Sequence, residues 1–301
     1  MMLLLTEGTQ EVATPPVSIA AINMNGKRLA RVTAPAYQPG YLDACGSKLP
    51  GHIRAFREAS EGMSTSSTVP YDWSSNAHSW VDTMAAQPWF GGYCFEPLIG
   101  GLMAASGWSA SGEAQSRWRV RQLIDHLGSD LIGLLGPDNE CDLAGSLGWQ
   151  NMTTGGATKE VALDRMLDLT RLLWEERGMA GFPLLGPAHA YQTWNGAGST
   201  FSMMELFTRN SNVFLSLIDG IDTHPHTAAA TRWHNFDGSA PADGLQSSHH
   251  TGRVLNTIGI AKPWTPFESG YAWDNHEASG LNARYRFGSH ICGLLRYGVS
   301  W

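Results

Sequence analysis

Residues 130–140 read Asp-Leu-Ile-Gly-Leu-Leu-Gly-Pro-Asp-Asn-Glu, a short apolar run that stops at Gly136-Pro137 and ends on three polar residues. A run of this length between turn formers fits a strand covered on both faces. Downstream, Lys159 to Arg177 places Val161, Leu163, Met166, Leu167 and Leu173 near one helical face, and Gly178 stops the pattern. Phe182 to Leu185 is then a second apolar run. Strand, helix, strand in this order is the β-α-β unit, whose strands are parallel and whose helix covers the sheet.

The same alternation extends in both directions. Upstream, the pattern predicts strands at Val17 to Met24, His52 to Phe56 and Phe90 to Phe95. Helices are expected at Tyr41 to Lys48, Asn76 to Ala86 and Glu113 to Leu127, with the strand of the opening stretch at Asp130 to Leu135. Downstream of Leu185, helices are expected at Phe201 to Leu217, Leu245 to Ile258 and Leu281 to Leu294. They alternate with strands at Gly220 to Thr223, Pro263 to Phe267 and Arg296 to Trp301. After a Pro/Thr-rich lead-in over 1–16, residues 17–301 therefore read as a single-domain α/β chain. Its plan is a (β/α)8 TIM barrel whose eighth strand ends the sequence without a closing helix. The rival, a doubly wound open sheet, expects a Gly-rich phosphate turn after its first strand, and Asn23-Met24-Asn25-Gly26 does not supply one.

Composition narrows the function. Only 16% of the 301 residues are charged, against about 25% in an ordinary domain, and 43% are hydrophobic. This excludes disorder. The net charge of -7, with no block of like charges, argues against nucleic acid as the main ligand. Cys45, Cys94, Cys141 and Cys292 lie far apart with no metal-type spacing and read as reduced, buried thiols. No stretch reaches the length of a membrane span. Met1 to Leu5 is too short for a signal-peptide core, so no leader is expected; action outside a cell would follow release by lysis or carriage by a virus. Composition alone leaves the oligomeric state open and implies no cofactor.

In a barrel, substrate binds at the carboxyl ends of the strands. Strand four ends in Gly136-Pro137-Asp138-Asn139-Glu140, and strand seven ends in Pro266-Phe267-Glu268-Ser269-Gly270. Here the chain resembles the clan of retaining (β/α)8-barrel glycoside hydrolases, whose acid/base Glu follows an Asn at strand four and whose nucleophilic Glu ends strand seven. Phe214 to His226 resembles that clan's helix five leading into strand six, which commonly ends in a His and a Tyr. Ile53-Arg54 is similar to its strand-two arginine, Leu185-Gly186-Pro187-Ala188 to a frequent strand-five ending, and Trp301 to a strand-eight tryptophan beneath a sugar.

The resemblance implies Glu140 as general acid, then base, and Glu268 as nucleophile. Two carboxyl groups are what the chemistry requires, one to protonate the departing oxygen and one to form a glycosyl intermediate, held about 5 to 5.5 Å apart. Burial and a nearby anionic Glu268 would raise the acid's pKa. Arg54 would keep Glu268 ionised, and Asn139 would bind the hydroxyl beside the anomeric carbon. His226 stands where the clan often has Tyr. The carboxylates Glu58, Glu96 and Asp138 near other strand ends read as solvated or structural.

Trp73, Trp108, Trp149, Trp194, Trp233 and Trp273 fall in loops after strands two to seven, and Trp301 ends strand eight. Indole faces suit the C–H faces of pyranose rings. An aromatic-lined cleft favours endo action on an oligo- or polysaccharide, with β-glucans, xylans, mannans and galactans all open. The loops Ser60 to Ser75, Leu98 to Gly112 and Trp233 to Gln246 would shape subsites. Two alternatives stay in play. One is a metal-dependent barrel hydrolase using His224 and His226 with His234, His249 and His250, although Val17 to Gly26 lacks the His-x-His that amidohydrolase-type barrels carry at strand one. The other is a non-catalytic carbohydrate-binding barrel.

Overall fold

A computed structural model describes residues 29–31, 55–59, 82, 85, 86, 92–178, 180–187, 201, 203–210, 213–223, 262 and 264–266. Strands β1 (Leu29–Arg31), β2 (Ala55–Ala59), β3 (Tyr93–Glu96) and β4 (Leu131–Leu134) form one sheet in that order, every pair parallel. The order continues through two isolated parallel bridges, Leu134 with Leu184 and Leu185 with Gly220. It ends in β5 (Ile221–Thr223), which pairs in parallel with β6 (Trp264–Pro266).

Each segment thus lies beside the one before it in the chain. A doubly wound sheet reverses its order at a switch point, and no reversal occurs among the described residues. Parallel neighbours joined by right-handed crossovers collect their helices on one face. The other face is hidden from water only when such a sheet curls on itself into a barrel. The expected strand at Val17 to Met24, the helices at Tyr41 to Lys48, Leu245 to Ile258 and Leu281 to Leu294, and the strand at Arg296 to Trp301 lie outside the described residues.

The outer layer over the described core contains α1 (Ile99–Ala105), α2 (Ala110–Leu127), α3 (Leu147–Thr153), α4 (Lys159–Arg177), α5 (Met203–Thr208) and α6 (Val213–Leu217). The α4 pattern works as its sequence demands: Leu163, Met166, Leu167 and Leu173 are buried, together with Ala162, Leu169, Thr170 and Leu172. Thr158 caps its first turn by accepting from Val161 N–H at 3.4 Å, and Gly178 ends it at φ 53°. Val161 is the exception, 41% exposed on the outer side. Tyr93 and Phe95 on β3 and Leu131 and Leu134 on β4 join these helices in one apolar core with Val120, Leu123, Phe207 and Phe214.

Several boundaries differ from the sequence reading. β2 runs three residues later than His52 to Phe56, and β1 is a strand that no periodicity announced. Leu98 to Gly112 is not one long loop, because Ile99–Ala105 is helical and α2 starts at Ala110. The single helix expected over Phe201 to Leu217 is broken in two. Asn210 sits at φ 48°, a left-handed conformation that Asn tolerates and a helix does not.

Charge on the outer helices is paired across elements. Arg117 on α2 donates to Glu175 at 2.7 Å and Glu176 at 3.0 Å on α4, and Arg121 joins Glu176 at 2.5 Å. Burial of the Glu176 carboxyl, only 7% exposed, raises its pKa, but hydrogen bonds from Arg121 and Arg117 win and hold it below the usual value. A depressed folded-state pKa adds stability above the unfolded value, and that stability is lost as pH falls through the folded one. Glu176→Gln is therefore expected to cost about 1 kcal/mol at pH 7. In thermal melts the gap to wild type should close below about pH 4; a gap independent of pH would show that the pairing contributes nothing.

Candidate active site

Because every described strand pair is parallel, the carboxyl ends share one edge, and the residues there come from separate strands. β3 ends in Glu96, which is fully buried, and β5 carries Asp222, also fully buried. Between them, β4 runs out through Leu135 and Gly136 into Pro137-Asp138-Asn139-Glu140. Gly136 approaches Gly186 so closely that a Cβ on Gly186 would stand 3.2 Å from Gly136 Cα. A side chain at Gly186 would therefore push the two strand ends apart by a few tenths of an ångström.

The Asp138 to Glu140 turn is gripped from both flanks. Asp138 is 2% exposed; its Oδ1 accepts from Asn139 N–H at 2.9 Å and its Oδ2 from Asn151 Nδ2 at 2.7 Å. Gly100 on α1 donates its N–H to Pro137 O at 3.4 Å. The carbonyl of Glu140 accepts from Leu143 N–H at 2.9 Å and from the Ser146 hydroxyl at 2.8 Å. Ser146 also caps α3, accepting from Trp149 N–H at 3.0 Å. Glu140 itself adopts φ 49°. For a non-glycine residue this conformation costs of order 1 kcal/mol or more, and it persists where surrounding contacts over-determine it, as at functional sites.

Asn139 and Glu140 are both half-buried, so their side chains stand at the boundary between core and solvent. Cys141 next to them is 2% exposed. Burial pushes its thiol well above the ordinary value, reinforced by the negative charge of Asp138, Asp142, Glu96 and Glu140. Glu96 and Asp138, read from sequence as solvated or structural, are not solvated. Cys94 and Cys141 are buried thiols, as expected; Cys45 and Cys292 lie outside the described residues.

Of the expected site residues, the structure brings Asn139 and Glu140 to the carboxyl edge. Arg54, His224, His226, Glu268, Trp194, Trp233, Trp273 and Trp301 lie outside the described residues. Glu268 follows the last residue of β6, Pro266, by two positions, and His224 directly follows β5. Trp149 stands on α3 rather than in a loop, partly buried, with its ring 6.0 Å from Phe201. Trp108 donates from Nε1 to Asn151 O at 3.3 Å, and the Arg165 guanidinium stacks on its ring at 4.3 Å. Its loop is pinned to α3 and α4 by those contacts. Among the described residues there is no cluster of His, Cys, Asp and Glu suited to a metal, and no helix long and apolar enough to cross a membrane.

Solved structures share this fold. The native xylanase 10C of Cellvibrio japonicus superposes with a TM-score of 0.55 at 12% identity, over 98% of this chain and 63% of that one. The intracellular xylanase of Thermoanaerobacterium saccharolyticum gives 0.54 at 13% identity, over 93% and 85%. This chain has the fold of the TIM-barrel xylanases. Xylanase XynB of Paenibacillus barcinonensis agrees, with a TM-score of 0.50 at 12% identity over 96% and 84%. At such identity the likeness speaks for the barrel alone. No family model and no curated protein sequence matches the chain.

Proposed function

We propose that this barrel is a retaining glycoside hydrolase that cleaves internal bonds of a β-linked polysaccharide by double displacement. The observation that carries the reading is the Asn139–Glu140 pair, held half-buried at the carboxyl edge by the bonds to Asp138 and to the Glu140 carbonyl. In this reading Glu140 protonates the departing glycosidic oxygen and then deprotonates the incoming water. Glu268, from the end of the seventh strand, attacks the anomeric carbon and leaves it again when water attacks. Asn139 bonds the hydroxyl next to the anomeric carbon, a contact that tightens in the transition state.

Around this pair, Arg54, His224 and His226 are assigned to orienting Glu268 and the sugar. Trp149, Trp194, Trp233, Trp273 and Trp301 are assigned to stacking along the cleft. β-1,4-Xylan is the first substrate to test, since the structures sharing the fold are named as xylanases.

The covalent step has a direct readout. A 2-deoxy-2-fluoro glycoside with a 2,4-dinitrophenyl leaving group should inactivate the protein and add one glycosyl mass to the peptide carrying Glu268. Labelling elsewhere would remove Glu268 from the nucleophile's role. Activity on xylan that a chelator abolishes, and that Glu268→Ala leaves intact, would move the chemistry to a metal held by the His224 and His226 segment.

A further inference from the structure

Asp138, 2% exposed, is a side chain that connects the Asn139–Glu140 turn to the helices outside it. Its two oxygens face different elements: Oδ1 holds Asn139 N–H, one residue before Glu140, and Oδ2 holds Asn151 Nδ2 on α3. Space for the carboxylate comes from Gly100 on α1, where a Cβ would lie 2.2 Å from Oδ2 and 2.6 Å from Met152 Cε. Burying a carboxylate is costly in lost hydration unless hydrogen bonds compensate. A turn needing only its volume filled would be served by an apolar side chain.

The far end of this contact is itself clamped. Asn151 accepts from Trp108 at its backbone carbonyl, and the next carbonyls, Met152 O at 2.7 Å and Thr154 O at 3.0 Å, accept from Arg165. Arg165 lies against the Trp108 ring, so the last turn of α3, the loop before α2 and the α4 side chain make one fixed block. Asp138 is the side chain that ties this block to the backbone amide of Asn139.

We infer that Asp138 is a positioning residue for the acid/base step: through Asn139 N–H it fixes where Glu140 points, with Asn151 as its anchor. The inference rests on the proposed role of Glu140. Its consequence is specific to proton transfer. A misplaced acid hampers cleavage of a bond whose leaving group needs a proton and hardly affects one whose leaving group departs as a stable anion.

Asp138→Ala removes both acceptors at once. The double change Asp138→Asn with Asn151→Asp restores the pair, because the amide at position 138 still accepts from Asn139 N–H while donating to the carboxylate at position 151. Both proteins and wild type would be compared by kcat/KM on an unactivated β-linked oligosaccharide and on the 2,4-dinitrophenyl glycoside of the same sugar, with melting temperatures measured alongside. Asp138→Ala is expected to lower the first by ~30–100-fold, the scale of a 1 Å displacement, and the second by no more than about 3-fold. The double variant should avoid most of the loss.

Equal losses on the two substrates, no loss, or a double variant that stays selectively impaired would overturn the inference. If Asp138→Ala does not fold, the double variant decides alone: a wild-type ratio of the two constants supports it and a lowered ratio on the oligosaccharide refutes it. Wild type inert on both substrates would instead bring down the glycosidase reading, and this inference with it.

Discussion

Glu140→Ala is expected to keep the fold and to lose ~10²–10⁴-fold in kcat on an unactivated polysaccharide, the usual contribution of a general acid or base. The change leaves intact what the structure uses to build the turn. The carbonyl of residue 140 still accepts from Leu143 N–H and Ser146, and Asp138 still holds Asn139. Alanine at φ 49° carries a cost similar to that of the native glutamate, so melting temperature should hardly move. The comparison is kcat on xylan for the two proteins with their melts. Full activity in Glu140→Ala would take the acid/base role from this residue, and a loss matched by unfolding would leave the role to stability alone.

Gly148→Ala should destabilise, although alanine in a helix interior ordinarily stabilises by up to about 1 kcal/mol over glycine. The sign is set by what the new methyl meets. A Cβ on Gly148 would stand 1.9 Å from Asn139 O and 2.9 Å from Asn139 C, both backbone atoms that no rotamer change can move aside. Overpacking of this kind costs about 1–3 kcal/mol, which exceeds the propensity gain. The relief available is a shift of α3 away from the Asn139–Glu140 turn, so activity should fall at least ~10-fold even where the protein remains folded. Gly101→Ala is the control: its Cβ would meet only Asn151 Nδ2, at 3.6 Å, and there the propensity gain should prevail. Melting curves of the two variants decide it, and equal effects would show that the close approach of α3 to Asn139 is not what demands a glycine.

Those close approaches were invisible in the sequence, and the reason is instructive. Apolar periodicity marked β4, β5 and β6 within their expected windows and β3 to within one residue, Glu96 lying just past the window, because such strands, covered on both faces, are written as short apolar runs between turn residues. It located α4 almost to the residue. It misplaced β2 because Arg57-Glu58-Ala59, which completes the strand, has no strand-forming residue. It missed β1 because three residues, Leu29–Arg31, carry no period.

Helices α1 and α3 were missed for a further reason. Each is seven residues long with glycine inside, so local propensity argues against them. They form because Gly100 and Gly148 let them press onto the strand-four turn, a tertiary effect that overrides propensity. The break at Asn210 had a local signal, the polar stretch Thr208 to Asn212, which the helical pattern on either side outweighed. At the site, the resemblance to the glycoside hydrolase clan singled out Asn139 and Glu140, and both stand half-buried just beyond β4. Burial of Glu96 and Asp138 was not legible, since a carboxylate near a strand end is written alike whether it faces water or the core.

The central claim, double displacement at the anomeric carbon, is tested most directly by the configuration of the first product. Proton NMR of wild-type protein acting on a soluble β-linked polysaccharide should show the β-anomer accumulating first and the α-anomer rising only as mutarotation proceeds. An α-anomer formed first would mean single displacement by water, and it would contradict the assignment of Glu140 and Glu268 as acid/base and nucleophile.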